Sequence, residues 1–135
     1  MRVLAHRIFW AAMQATDSRL RLGPEKRLRS KPQFDAVYAA GRRIDDRFFG
    51  LRVKPNGLQF PRVGMAVAVK TAGNAVRRNR LRRLVRESFR LAQRDLPFVD
   101  IVVAAKFPAA AAPAASLRAS LATLWQRVAA TCASS

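Results

Sequence analysis

The sequence predicts an α/β protein, an α+β sandwich in which helices pack on a single mixed sheet. Two stretches, 47–53 and 62–70, alternate bulky apolar residues with small or polar ones, the period of a strand. A third stretch, Val99–Ala105, is almost wholly apolar, as in a strand buried on both faces. Helical spacing of apolar residues recurs in 31–40, 74–91 and 116–130. The predicted order is helix, strand, strand, helix, strand, helix.

Composition narrows the classes of function. The 135 residues suit one domain, and the formal net charge of +18 indicates a polyanionic partner. The only cysteine is Cys132 and the only histidine is His6, so an internal disulfide, a Cys/His zinc site and a Ser-His-Asp triad are excluded. The carboxylates are scattered, and no apolar run reaches the roughly 20 residues of a membrane span. We expect no catalytic residue, no metal site and no membrane partner.

The N-terminal stretch is basic and mildly apolar. Met1–Asp17 could be a membrane-surface or targeting helix, but its interruption by His6 and Arg7 favours a disordered or loosely packed extension. Residues 18–29 are predicted to be a mobile arm, broken at Gly23. The predicted division is a disordered basic extension over 1–26, a folded domain over 27–130 and a tail over 131–135.

A capping box predicts where the first helix begins. Ser30 is the cap and Gln33 stands three residues later, so the helix should run over 31–40 and end at Gly41. Phe34, Val37 and Tyr38 share one face, either as core or as a flank that lines a groove. The helix should be followed by a polar turn over 42–47.

The two alternating strands have unlike faces. In 47–53, Phe49, Leu51 and Val53 lie opposite Phe48, Gly50 and Arg52. In 62–70, Val63, Met65, Val67 and Val69 lie opposite Gly64, Ala66, Ala68 and Lys70. A sheet face that is small, basic and aromatic could be the floor of a groove for single-stranded nucleic acid. Alternatively, another helix covers it. Between the strands we expect a turn at 55–57, with 58–60 as an optional short strand.

The helix predicted from Asn74 carries the strongest signal. Asn74 can cap it, and the apolar face holds Leu81, Leu84, Val85, Ser88 and Leu91, with Phe89 at the edge. The opposite face holds Asn79, Arg82, Arg83, Arg86 and Arg90. Glu87 is the only acid, so a merely solvated charged face is less favoured than a face that binds phosphates. The helix should end near 95–97. After Val99–Ala105 comes a loop over 106–115, and the last helix, 116–130, buries Leu117, Leu121, Leu124, Trp125 and Val128.

The residues Lys70, Gly73–Val76 and Arg78–Arg90 resemble the signature of the bacterial ribonuclease P protein component. Arg78-Asn79-Arg80 is similar to the triplet that names the family's basic helix, and the resemblance extends more weakly over about 27–128. Thr71 departs from the family pattern, which often has a second basic residue after the strand lysine.

The resemblance implies an unusual left-handed β-α-β crossover, although strand geometry in general favours a right-handed one. It also implies a protein subunit of ribonuclease P, which assists removal of the 5′ leader from precursor tRNA. In that family the RNA subunit carries the magnesium-dependent chemistry, so Mg²⁺ is expected to be held mainly by RNA. We expect one protein per RNA and a cytoplasmic location.

The expected contacts fall into two sets. The set for the catalytic RNA is Lys70, Asn74, Arg77, Arg78, Asn79, Arg80, Arg82, Arg83, Arg86 and Arg90. The set for the leader is Phe34, Tyr38, Phe48, Arg52 and Lys70. Two rival classes remain, a basic DNA-binding or ribosomal structural protein and a self-sufficient nuclease. The scarcity of uncharged hydrogen-bonding side chains among the arginines counts against the first class. The scattered carboxylates count against the second.

Overall fold

The computed structural model describes residues 23–66 and 73–133. Within them the helices are α1 (Lys31–Ala40), α2 (Ala75–Ala92) and α3 (Ala114–Ala133), and the strands are β1 (Arg42–Asp45), β2 (Phe49–Pro55), β3 (Arg62–Ala66) and β4 (Val99–Ala105). Short 3-10 turns occupy Pro24–Lys26, Gln93–Asp95 and Phe107–Ala110. No helix in these two ranges is long and apolar enough to cross a membrane.

The four strands form one mixed sheet in the order β1-β2-β4-β3. β2 is antiparallel to both β1 and β4, whereas β3 and β4 are parallel neighbours. Since α2 connects β3 to β4, these three elements are a βαβ unit. The left-handed crossover stays a prediction.

Helices cover both faces of the sheet, so the predicted sandwich is confirmed. On one face α2 and α3 bury the larger core, which includes Phe49 and Leu51 of β2 and Ile101 of β4. On the other face, Val37 of α1 packs on Val102 of β4 and on Leu28, which lies in the segment before α1. Because β4 is covered from both sides, six of its seven residues are buried, as its apolar run predicts.

The local signals at the helix starts are confirmed. The Ser30 side chain accepts a bond from the Gln33 amide while Gln33 bonds back to the cap, and the Asn74 side chain accepts one from the amide of Arg77. Each cap satisfies backbone donors that a helix start leaves unpaired. The last helix begins at Ala114, two residues before the predicted Ser116.

Three local predictions are wrong. Residues 42–45 are strand β1 and not a turn, because buried Ile44 holds this edge against β2 opposite Leu51. Residues 58–60 form no strand, since the side chain of Asn56 bonds Leu58 and Phe60 and closes a loop there. The end of the predicted mobile arm is also ordered, because the Leu28 amide donates to Val63 and its side chain is buried. The predicted strand over 62–70 is confirmed for 62–66, and its remainder lies outside the described residues.

Candidate nucleic-acid interface

Buried leucines, a valine and a phenylalanine fix the orientation of α2. Leu81, Leu84, Val85 and Phe89 are buried, whereas Leu91 is 54% exposed. The apolar face predicted from the sequence includes Leu91 and has Phe89 at its edge, and the structure reverses the two. The edge of Phe89 meets the ring of Trp125, with centroids 5.9 Å apart, so α3 covers the side of α2 on which Phe89 lies. The helix therefore turns its arginines away from the sheet.

We call the outward side of α2 the arginine face. The side chains of this face line a concavity of about 480 Å³, next to the segment that precedes α1. Its lining comprises Arg27, Asn79, Arg82, Arg83, Arg86, Glu87 and Arg90. Arg27 was missed from sequence. The signal that could have found it is Leu28, an apolar residue between two arginines at the end of a basic arm, a pattern typical of a segment that packs on a sheet edge.

One acid neutralises part of this charge. Arg90 donates to Glu87 at 2.5 Å, and this hydrogen bond lowers the pKa of the Glu87 carboxyl. Arg27 and Arg78 each bury an Nε atom that has no hydrogen-bond partner in the described part of the chain, and of the two only Arg27 lines the concavity. The lining holds five arginines and one acid, and a phosphate oxygen is the acceptor that guanidinium groups fit best. The concavity is thus suited to bind phosphate.

Two of the residues predicted to contact RNA, Arg80 and Asn74, use their side chains for hydrogen bonds within the protein. Arg80 donates to the carbonyl of Ala112 at 2.9 Å and ties α2 to the loop before α3. Asn74 spends its side chain on the cap. Arg77 is exposed in the first turn of the helix, where phosphate can reach it. Lys70 lies outside the described residues.

A second concavity lies on the opposite face of the sheet, beside α1. We call this space, of about 240 Å³, the tyrosine groove. Its lining comprises Tyr38, Arg43, Gly50, Leu51, Arg52, Val102, Ala104 and Lys106. Tyr38 is 42% exposed, and the guanidinium of Arg52 lies 6.0 Å from its ring centroid. Ring and cation are therefore held together at the edge of a floor made of small residues.

Arg43 and Lys106 add cations that the sequence did not indicate. Arg43 lies directly opposite Arg52 in the β1–β2 register, and like charges in that position repel. An anion between them would relieve the repulsion. Lys106 donates to Asp45 at 2.7 Å and to the carbonyl of Asp46 at 2.6 Å, which lowers the pKa of Asp45. Both were missed because residues 42–47 and 106–115 were assigned to loops.

Two predicted groove residues lie elsewhere. The ring of Phe34 covers Gly64, where an added Cβ would come within 2.8 Å of it, and it packs with Leu28 and Val37 in the smaller core. Phe48 packs against the larger core, with Arg47 over its ring at 5.4 Å. Neither lines the tyrosine groove. Of the proposed leader set, the structure brings together Tyr38 and Arg52. The alternative prediction, that a helix covers the small-residue face of this strand, is confirmed at Gly64 of β3, which Phe34 of α1 covers.

The acidic side chains of the described residues do not cluster. Within 23–66 and 73–133, no three side chains among His, Cys, Asp and Glu come together to hold a metal ion. The most buried acid, Asp100, accepts both Arg62 nitrogens at 2.7 and 2.6 Å and the Asn56 amide at 3.0 Å. This network joins β3, β4 and the loop after β2, so its role is structural.

A mixed four-stranded sheet that carries an arginine helix on one face and a basic aromatic groove on the other defines a nucleic-acid-binding protein of the α/β class. Comparison with known families makes this specific, because the model of the Ribonuclease P family matches residues 22–129. The chain belongs to the ribonuclease P family of protein components. It therefore contributes to an endoribonuclease of tRNA 5′ processing, whose protein components function with an RNA.

Individual relatives agree with the family assignment. The chain is 41% identical over 99 residues to the ribonuclease P protein component of Methylococcus capsulatus, covering 73% of this chain and 77% of the relative. It is 40% identical over 103 residues to that of Escherichia coli, covering 76% and 87%. The fold is similar to the solved RNase P protein of Staphylococcus aureus, with a TM-score of 0.71 at 28% identity over 75% of this chain and 93% of that one.

Proposed function

We propose that the protein binds the RNA subunit of ribonuclease P through the arginine face and the 5′ leader of precursor tRNA through the tyrosine groove. The observation that carries the proposal is the pair of basic sites on opposite faces of one sheet, in a chain of this family. Two sites on opposite faces allow two RNA molecules to be held at once. The protein then bridges an enzyme RNA and its substrate.

The arginine face suits a folded RNA. Its guanidiniums are presented by a rigid helix, and arginine forks contact two phosphate oxygens at a time. Such contacts fix position without reading sequence. We assign Arg27, Arg77, Arg78, Asn79, Arg82, Arg83, Arg86 and Arg90 to this contact. We keep Lys70 as a predicted member, and one protein per RNA as the expected stoichiometry.

The tyrosine groove suits a single strand. A duplex is too wide for a 240 Å³ concavity, whereas one base can stack on Tyr38 while Arg43 and Arg52 take the adjoining phosphates. Stacking accepts any base, as an enzyme that processes many leaders requires. Magnesium in this proposal serves the RNA-held reaction centre, and the cellular location is the cytoplasm.

The proposal is tested by recovering the RNA that the tagged protein carries from its own cells. We expect ribonuclease P RNA together with tRNA precursors that retain their leaders. The Arg82→Ala/Arg86→Ala variant should lose most of this RNA, while Arg118→Ala/Arg127→Ala, which removes the same charge from α3, should retain it. Recovery of ribosomal RNA or DNA alone would favour the rival class of basic structural proteins.

A further inference from the structure

The tyrosine groove follows β4 to the end of that strand. Val102, Ala104 and Lys106 line it in turn, and Lys106 comes directly after the last residue of β4. Tyr38 lies toward the Val102 end, because its partner Arg52 is paired with Val102 in the β2–β4 register. Four residues of extended chain separate Val102 from Lys106, which is about 13 Å. Lys106 therefore marks the far end of the groove from Tyr38.

A single large side chain occupies the loop that follows this end of the groove. Residues 107–113 read FPAAAAP, so Phe107 is the only large residue among them. It is 77% exposed, whereas Phe49 and Phe89 are fully buried in the larger core. The ring of Phe107 is thus available to a partner one residue beyond the last cation of the groove.

The turn that bears Phe107 is fixed at both of its ends. The Lys106 amide donates to the Phe48 carbonyl at 2.7 Å, and the Ala109 amide donates to the Lys106 carbonyl at 2.9 Å. Ala109 is fully buried, and the ring of Pro108 restricts φ between them. A side chain on an ordered turn loses less entropy when it binds than one on a flexible loop.

The same loop adjoins the arginine helix. Arg80 of α2 donates to the Ala112 carbonyl at 2.9 Å. Because β3 and β4 are parallel, both end at this edge of the sheet. Phe107 consequently lies at the edge between the tyrosine groove on one face and α2 on the other. A single strand that leaves the groove past Lys106 toward α2 meets this loop.

We propose that Phe107 is a second stacking position for the 5′ leader, further along the strand than the nucleotide on Tyr38. The inference rests on the proposed function of the tyrosine groove. A ring for a base beside a cation for a phosphate is the combination that binds single strands. Lys106 supplies the cation, since an ammonium has three donors and the contacts with Asp45 and the Asp46 carbonyl use two.

A protein partner fits this position less well. A stable protein interface covers about 800 Å² on each partner, and the loop offers one ring among alanines and prolines beside a basic groove. The RNA subunit is the stronger competitor, because Arg80 brings the arginine helix close to the loop. The experiment therefore has to separate the leader from the RNA subunit.

Binding of tRNA to the reconstituted holoenzyme tests the proposal. Phe107→Ala should weaken the binding of precursor tRNA by roughly five-fold or more, while mature tRNA binds as before. This loss should disappear as the leader is shortened nucleotide by nucleotide. Phe107→Trp keeps a ring and should retain the affinity. Phe98→Ala is the matched control, because Phe98 is 50% exposed at the opposite end of β4 and should leave both affinities unchanged.

The outcomes separate this inference from the function on which it rests. Tight precursor binding by Phe107→Ala, together with weakened binding by Tyr38→Ala, would overturn the inference and leave the proposed function in place. Equal weakening of precursor and mature tRNA, or weaker binding of the RNA subunit itself, would assign Phe107 to another RNA contact and also overturn it. If neither variant changes precursor binding, the assignment of the leader to the groove fails and the inference fails with it.

Discussion

At the scale of single residues, Tyr38 and Arg52 show how two unlike side chains form one site. Arg52 lies over one side of the Tyr38 ring at 6.0 Å, and the ring is 42% exposed. The cation attracts the π-electrons of the ring, while the exposed area of the ring is where the proposed function places a base. Because Val37 beside it is fully buried, α1 cannot rotate to withdraw the ring.

We predict that Tyr38→Ala weakens binding of precursor tRNA to the reconstituted holoenzyme by roughly ten-fold or more. One stacked base is worth about 1–3 kcal/mol, and about 1.4 kcal/mol is a factor of ten. Mature tRNA has no leader and should bind as before. The measurement is the ratio of the two affinities, with Tyr38→Phe as the control that keeps the ring. Equal weakening of both ligands would contradict the assignment of the tyrosine groove to the leader.

The Asp100 network gives a prediction about stability. Asp100 is 7% exposed and is the shared acceptor of Arg62 and Asn56. Asp100→Ala should lower the free energy of unfolding by about 3 kcal/mol, the lower end of the loss expected when a buried pair loses one partner. Asp35→Ala, which breaks the exposed pair with Lys31, should cost at most about 1 kcal/mol. The free energy of unfolding of each variant is measured by urea unfolding. Equal losses in the two variants would show that the Asp100 network adds nothing to β3–β4 pairing.

At the scale of elements, the two sides of α2 differ in environment and charge. Its buried side packs in the larger core, and its arginine face is turned away from that core. If Arg82 and Arg86 each contact one phosphate, Arg82→Ala/Arg86→Ala should reduce the slope of log affinity against log salt by about 1.4 to 1.8. The charge-matched variant Arg118→Ala/Arg127→Ala should keep the slope. An unchanged slope combined with a lower melting temperature would mean that the α2 arginines are structural.

Periodicity predicted the helices, three of the four strands and the charged side of α2, because each depends on spacing along one segment. It could not predict that Phe89 and not Leu91 is covered, since that depends on where α3 lies. It also missed β1, whose sequence Arg42-Arg43-Ile44-Asp45 has one apolar residue and takes its order from pairing with β2. Arg27, Arg43 and Lys106 were missed for the same reason, as each reaches its site through a non-local pairing.

At the scale of the whole molecule, net charge and topology act together. Two RNA molecules brought together repel, and under the proposed function a body of net charge +18 between them would offset that repulsion. The sheet keeps the arginine face and the tyrosine groove on opposite sides, so each can contact a different RNA without competition. Magnesium ions screen the same repulsion. Protein and Mg²⁺ are therefore expected to substitute for each other in part.

We predict that the protein alone leaves precursor tRNA intact and lowers the Mg²⁺ concentration at which ribonuclease P RNA cleaves it. The physical reason is that cations of the protein replace part of the screening that Mg²⁺ supplies to the bare RNA, so the stimulation should be largest at low Mg²⁺ and shrink as Mg²⁺ rises. The measurement is the rate of leader removal across a Mg²⁺ series, with RNA alone, protein alone and the two combined. The Arg82→Ala/Arg86→Ala variant should shift the curve back toward that of RNA alone, while Arg118→Ala/Arg127→Ala should not. Cleavage by RNA-free protein that disappears on mutation of a carboxylate would instead establish a nuclease centre in the chain. Stimulation that stays constant across the series would show that the protein acts otherwise than by offsetting charge.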